Sequence, residues 1–155
     1  MLDNCKNAKE RWGGVSDIID RWLEERRLML VSFCDLSAMK APASSDQVRG
    51  GKLRHLCEIL VDYISAGHFE VYDQLMREGR EFGSDEALVE ASKLFALVDR
   101  TTQDILDFND KYLETDDLDA LERDLSQLGE ALETRFAAED RMIAVLHTAH
   151  KDRVV

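Results

Sequence analysis

Apolar residues recur along this chain at three- and four-residue spacings, the period of a helix with one buried face. In the first long segment they fall at Val15, Ile18, Ile19, Trp22, Met29, Leu30, Phe33 and Leu36. A second stripe carries Leu53, Cys57, Leu60, Val61, Ile64, Val71 and Leu75. The third is a steady heptad pattern of Leu88, Ala91, Phe95, Val98, Thr102, Ile105, Asn109 and Tyr112. The fourth runs through Leu118, Leu121, Leu125, Leu128, Leu132, Phe136, Ile143 and Leu146. Strand-type alternation is missing, and Pro42 is the one proline. Turn formers predict linkers near 40–51 (KAPASSDQVRGG), 79–85 (GREFGSD) and 113–117, with Ser84 or Asp85 placed to cap the helix that follows. Each helical segment is about 40 Å long at a rise of about 1.5 Å per residue. The pattern predicts an all-α, antiparallel up-and-down four-helix bundle in one domain spanning residues 1–155.

Charge narrows the possible partners. With 20 basic and 32 acidic side chains the net charge is −12, which repels phosphate backbones and anionic lipid. Direct nucleic-acid or membrane-surface binding is therefore not expected, whereas a basic protein would be attracted. Cys5, Cys34 and Cys57 form neither a disulfide framework nor a zinc motif. The amino-terminal stretch lacks a signal-peptide pattern, and no segment approaches a membrane span, so a cytoplasmic protein is expected.

Helical geometry directs several polar residues inward. Arg26 falls within the first stripe, His68 within the second, Thr102 within the third and Glu139 within the fourth. Buried charges need partners, so these residues predict an interior polar network in which Arg26 pairs with Glu139. Such a network could fix helix register, or it could line a small-ligand cavity.

Metal and catalytic readings find less support. The Glu-x-x-His pairs of di-iron bundles are absent, and four histidines are too few for a hemerythrin-like site. His147 and His150 have a spacing that could hold a metal weakly near a frayed terminus. Asp62, Ser65 and His68 look triad-like, but in a regular helix Asp62 and Ser65 point away from His68. No nucleophile elbow or phosphate loop accompanies them. Neither an enzyme nor a cofactor is expected. Asp62, Ser65, Phe69 and Met76 instead share the outer face of the second helix beside Asp73, resembling the centre and rim of a protein interface. Leu28 and Val31 could extend it.

Three blocks carry a family resemblance: DRWLEERRLMLVSF (20–33), LVDYISAGHFEVYDQL (60–75) and LGEALETRFAAEDRMI (128–143). Their order and spacing resemble the Rsd/AlgQ family, bacterial regulators of the primary sigma factor, also called regulators of sigma D. The opening MLDNCKNAKERWGG is most similar to the AlgQ branch, which is associated with alginate and virulence regulation. The resemblance implies a cytoplasmic anti-sigma factor that binds region 4 of the housekeeping sigma factor, blocking its promoter −35 and core polymerase contacts. It implies partner-binding roles for Trp22, Arg26, Leu30, Asp62, Ser65, Phe69 and Tyr72. Arg135 also matches a family position. A metal- or small-ligand-binding sensor bundle and a scaffold for another cytosolic regulator are the rival readings. The sequence leaves open a monomer or a weak dimer.

Overall fold

The computed structural model describes residues 2–39 and 46–153. Its elements are α1 (Leu2–Ala38), α2 (Asp46–Ala66), a π-helical turn (Gly67–Val71), α3 (Tyr72–Phe82), α4 (Asp85–Glu114) and α5 (Leu121–Leu146), followed by a 3-10 segment (Thr148–Arg153). Because α2, the π turn and α3 run on without a break, the chain forms four long rods. The all-α four-helix bundle predicted from the apolar periods is the fold observed.

Cross-helix pairs fix the directions of the rods. Arg26 meets Asp140 and Trp12 meets His147, so α1 runs against α5. Lys111 meets Asp124 and Glu90 meets Arg141, so α4 also runs against α5. Asn109 Nδ2 donates to the Cys57 carbonyl at 3.3 Å, tying α4 to α2. One contiguous core includes Ile19, Trp22, Met29, Leu56, Leu60, Tyr63, Leu75, Ile105, Leu132 and Met142. Full burial of each large apolar side chain contributes about 1.5–3 kcal/mol, so the core outweighs the modest helix propensities. Cys57 lies in this core; burial, with Glu58 nearby, pushes its thiol up to about 11.

The first two breaks between rods are shorter than the linkers read from composition, and the third lies a few residues later. Helix α2 begins at Asp46, so residues 46–51 are helical despite the Gly50–Gly51 pair, while residues 40–45 lie outside the described residues. Likewise α3 passes through Gly79 and reaches Phe82, leaving only Gly83 and Ser84 before α4. A Cβ on Gly79 would stand 2.6 Å from Leu146 Cδ2. This glycine is a packing notch inside a helix, and its composition alone made it look like a turn. Ser84 caps α4 by accepting from the Ala87 amide at 3.2 Å. Helix α4 continues to Glu114, and the connection to α5 occupies residues 115–120.

Candidate partner surface and the polar network beneath it

Beneath the second rod lies a polar cluster built from all four rods. Glu139 of α5 is at its centre, with a fully buried carboxylate. Tyr63 donates its hydroxyl to Oε1 at 2.7 Å, and Tyr72 donates to Oε2. Arg135 Nε, one turn earlier on α5, lies 3.4 Å from Oε2. Arg26 Nη2, from α1, lies 3.4 Å from Oε1, while its Nη1 donates to the more exposed Asp140 at 2.6 Å. The Arg26 guanidinium also sits over the rings of Phe136 and Trp22, 4.6 and 5.5 Å from their centroids.

Arg135 extends the cluster to α4. Its Nη1 donates to Thr102 Oγ1 at 2.7 Å and Thr101 Oγ1 at 3.1 Å, and its Nη2 donates to the Tyr72 hydroxyl at 3.1 Å. Burial pushes the Glu139 carboxyl above the usual carboxylate range, against the opposing pull of Arg135, the two phenols and Arg26. Burial and the Glu139 charge also drive both phenols well above the usual tyrosine range, so they remain donors. Among the described residues Arg135 Nε makes no hydrogen bond of its own beyond its ion-pair contact with Glu139, but the remaining bonds join all four rods and hold them in register.

Among the interior residues named from the stripes, Arg26, Thr102 and Glu139 come together here, and His68 does not. Gly67, three residues after Ile64, takes the inward position, and His68 is exposed at the start of the π turn. Its ring meets Phe69 edge-on at 4.9 Å. Ser65 and His68, expected to point to different faces, line one groove of about 220 Å³ with Phe69, Tyr72, Thr102 and Arg135, because residues three apart are neighbours on a helix. Tyr63 and Arg135 were left out of the expected network. The signals for them were the Leu60–Tyr63–Ile64 spacing and the four-residue step from Arg135 to Glu139.

The residues expected to touch a partner divide into two groups. Phe69 is 78% exposed on the π turn, Asp62 is exposed, Ser65 is half-buried and Leu30 is partly exposed. Leu28 and Val31 on α1 are exposed as well. Trp22 and Tyr72 are buried at 2% and 5%, and Arg26 keeps only 12% of its side chain exposed. A partner docked on this conformation does not reach Trp22 or Tyr72. Trp22 stacks on Tyr63 at 4.9 Å, donates Nε1 to the Tyr63 carbonyl at 3.2 Å, and meets Tyr72 edge-on at 5.8 Å. Met76, assigned to the outer face, packs partly buried against the core, because the π turn also rotates α3.

Acidic residues flank Phe69 along the chain, with Glu70 next to it and Asp73 one turn on. Asp62 and Glu70 act on Glu25 of α1 closely enough that burial and their two charges push its carboxyl up, with only Arg21 opposing. Asp73 is engaged by Arg77 at 3.3 Å.

At the far end of α5 the two histidines of HTAH are packed, not frayed. His147 stacks on Trp12 at 4.3 Å, and its Nδ1 lies 2.7 Å from Glu78 Oε2. His150 is also buried, near Phe82. Among the described residues no group of three His, Cys, Asp or Glu side chains is gathered for a metal ion, and no helix is long and apolar enough to cross a membrane.

These features define an all-α four-helix bundle with a largely buried polar centre and an exposed aromatic residue on its second rod. A family model described as "Regulator of RNA polymerase sigma(70) subunit, Rsd/AlgQ" matches residues 1–147. Proteins named regulator of sigma D from Salmonella paratyphi B and Salmonella schwarzengrund are each 37% identical over 158 residues, covering 98% of this chain and 95% of theirs. The protein of that name from Salmonella newport matches with the same identity and coverage. The chain belongs to the Rsd/AlgQ family.

Proposed function

We propose that this chain is an anti-sigma factor that binds region 4 of the primary sigma factor and blocks its contacts with the promoter −35 element and core polymerase. The supporting observation is Phe69, a largely exposed aromatic ring adjacent in the chain to Glu70, where burial and then the charges of Asp62 and Glu70 push the Glu25 carboxyl of α1 up. A basic helix-turn-helix module complements both features: its cations relieve the repulsion, and its apolar groups cover the ring. The names of the relatives support the sigma factor as the partner. Leu28, Leu30 and Val31 of α1 extend the proposed surface from the second rod towards the first.

Titrating purified region 4 into the chain tests this reading. Phe69→Ala lowers affinity by about thirtyfold, the scale of an interface hot spot, because it removes a central anchor. Asp62→Ala lowers it by about threefold to tenfold and weakens its salt dependence, because it removes a steering charge. Both variants keep the wild-type melting temperature, since neither side chain is in the core. Unchanged affinity in both would place the interface elsewhere.

A further inference from the structure

We infer that the π turn Gly67–Val71 is a positioning device that sets the direction of Phe69, and that Gly67 and Tyr72 act on partner binding through it without touching the partner. This inference rests on the reading of Phe69 as a partner anchor.

The argument begins with register. Core-facing positions on α2 fall at Leu60, Ile64 and Gly67, a four-three alternation whose continuation would be 71, 74 and 78. After the turn the buried positions are the pair Val71 and Tyr72, then Leu75, then the pair Glu78 and Gly79, while Gln74 is only half-buried, so the single inward position falls at 75, one later than the alternation gives. A single extra residue has therefore been accommodated between Gly67 and Tyr72. The Tyr72 amide bonds to the Gly67 carbonyl five residues back, so four residues (His68, Phe69, Glu70 and Val71) separate Gly67 from Tyr72 where the α alternation would place three. The widened turn holds Phe69 on the surface and shifts the inward face of α3 by one position.

The turn is braced from below. A Cβ on Gly67 would meet Trp22 Cζ2 at 3.1 Å and the Tyr72 hydroxyl at 3.2 Å, so a side chain there would push both rings back by a few tenths of an ångström, whereas the bare backbone lets them close beneath the turn. Tyr72 is in turn anchored by Glu139 and Arg135. The direction of Phe69 thus depends on a buried assembly within the bundle.

The test is deletion of His68. Removing one residue converts the five-residue turn into an α turn, restores the four-three spacing and leaves the flanking core positions in place, while retaining Phe69 in a new direction. The expected result is a cooperative melt within a few degrees of wild type and at least a tenfold loss of affinity for purified region 4. Loss of the slow amide hydrogen exchange pattern peculiar to residues 66–73 would mark the conversion. Gly67→Ala is the second variant, informative even if the deletion does not fold. It crowds Trp22 and Tyr72, and is expected to weaken binding about threefold to tenfold while the melt stays cooperative. Wild-type affinity in a folded deletion variant, or in Gly67→Ala if the deletion does not fold, overturns the positioning role, provided that Phe69→Ala binds weakly. Wild-type affinity in Phe69→Ala instead overturns the partner-surface reading on which this one depends.

Discussion

Glu139 and Asp124 both lie on α5, and each is held by tyrosine hydroxyls and cations, yet their surroundings differ. Glu139 is fully buried between Tyr63, Tyr72, Arg26 and Arg135. Asp124 sits at the edge of the α4–α5 pair, where the Tyr112 hydroxyl and Lys111 Nζ each donate at 2.6 Å and Arg123 stands 3.7 Å away. Lys111 is 44% exposed, so solvent screens that pair. Burial wins at Glu139 and pushes its carboxyl up. At Asp124 burial also raises the carboxyl, but the bonds from Lys111 and Tyr112 outweigh it, so the net shift is down. The same chemical grouping is thus a register-setting centre in one place and a surface clasp in the other.

The comparison is tested most severely by truncation. Glu139→Ala leaves two guanidiniums and two phenols short of an acceptor, and breaking a buried ion pair this way costs about 3–5 kcal/mol. Urea melts check this, and a loss below about 1 kcal/mol would show that the centre relaxes or floods without cost. Tyr72→Phe keeps the ring and removes one bond to the carboxylate, for an expected loss of about 1.5–3 kcal/mol. Asp124→Ala is expected to lose no more than about 1 kcal/mol, because its cation is solvated. If Asp124→Ala matched Glu139→Ala, exposure would not be what separates the two sites.

The smallest effect is the most diagnostic, because its sign differs between the sites. The folded value of Glu139 lies above its ordinary 4.5, so its contribution is full below that pH and is lost as pH rises through the folded value. The folded value of Asp124 lies below its ordinary 3.8, so its contribution is present above that pH and is lost as pH falls through the folded value. Glu139→Gln should therefore remove a decline in stability with rising pH, and Asp124→Asn should remove a decline on acidification. Stability profiles across the acid range decide the matter, and slopes of the same sign for both variants would refute the contrast.

Much of this fold was legible because a helix repeats its angular step. Val98, Ile105 and Tyr112, or Leu121, Leu125, Leu128 and Leu132, declare one face each, and the structure buries all of them. The meeting of Arg26 and Glu139 could be anticipated because both interrupt apolar stripes. His68 looked inward because the bare Gly67 beside it takes the inward position, and Met76 looked outward because the π turn was not counted. Its trace was present in Leu60, Ile64 and Gly67 followed by Tyr72 and Leu75, but glycine has no side chain to mark a buried position. Trp22 and Tyr72 seemed available to a partner because a family match carries residue identity without depth. Gly79 and the Gly50–Gly51 pair suggested turns because composition does not distinguish a bend from a notch.

The core position of Cys57 has a kinetic consequence. With its thiol pushed up to about 11 and its side chain sealed between α2 and α4, it is almost entirely un-ionised near neutral pH and out of reach of reagents. Cys34, by contrast, is exposed on α1. Slow alkylation of Cys57 therefore times the opening of the second rod away from the fourth, and Cys34 supplies a fast internal reference in the same sample. The protein thus carries its own clock for how often the bundle breathes.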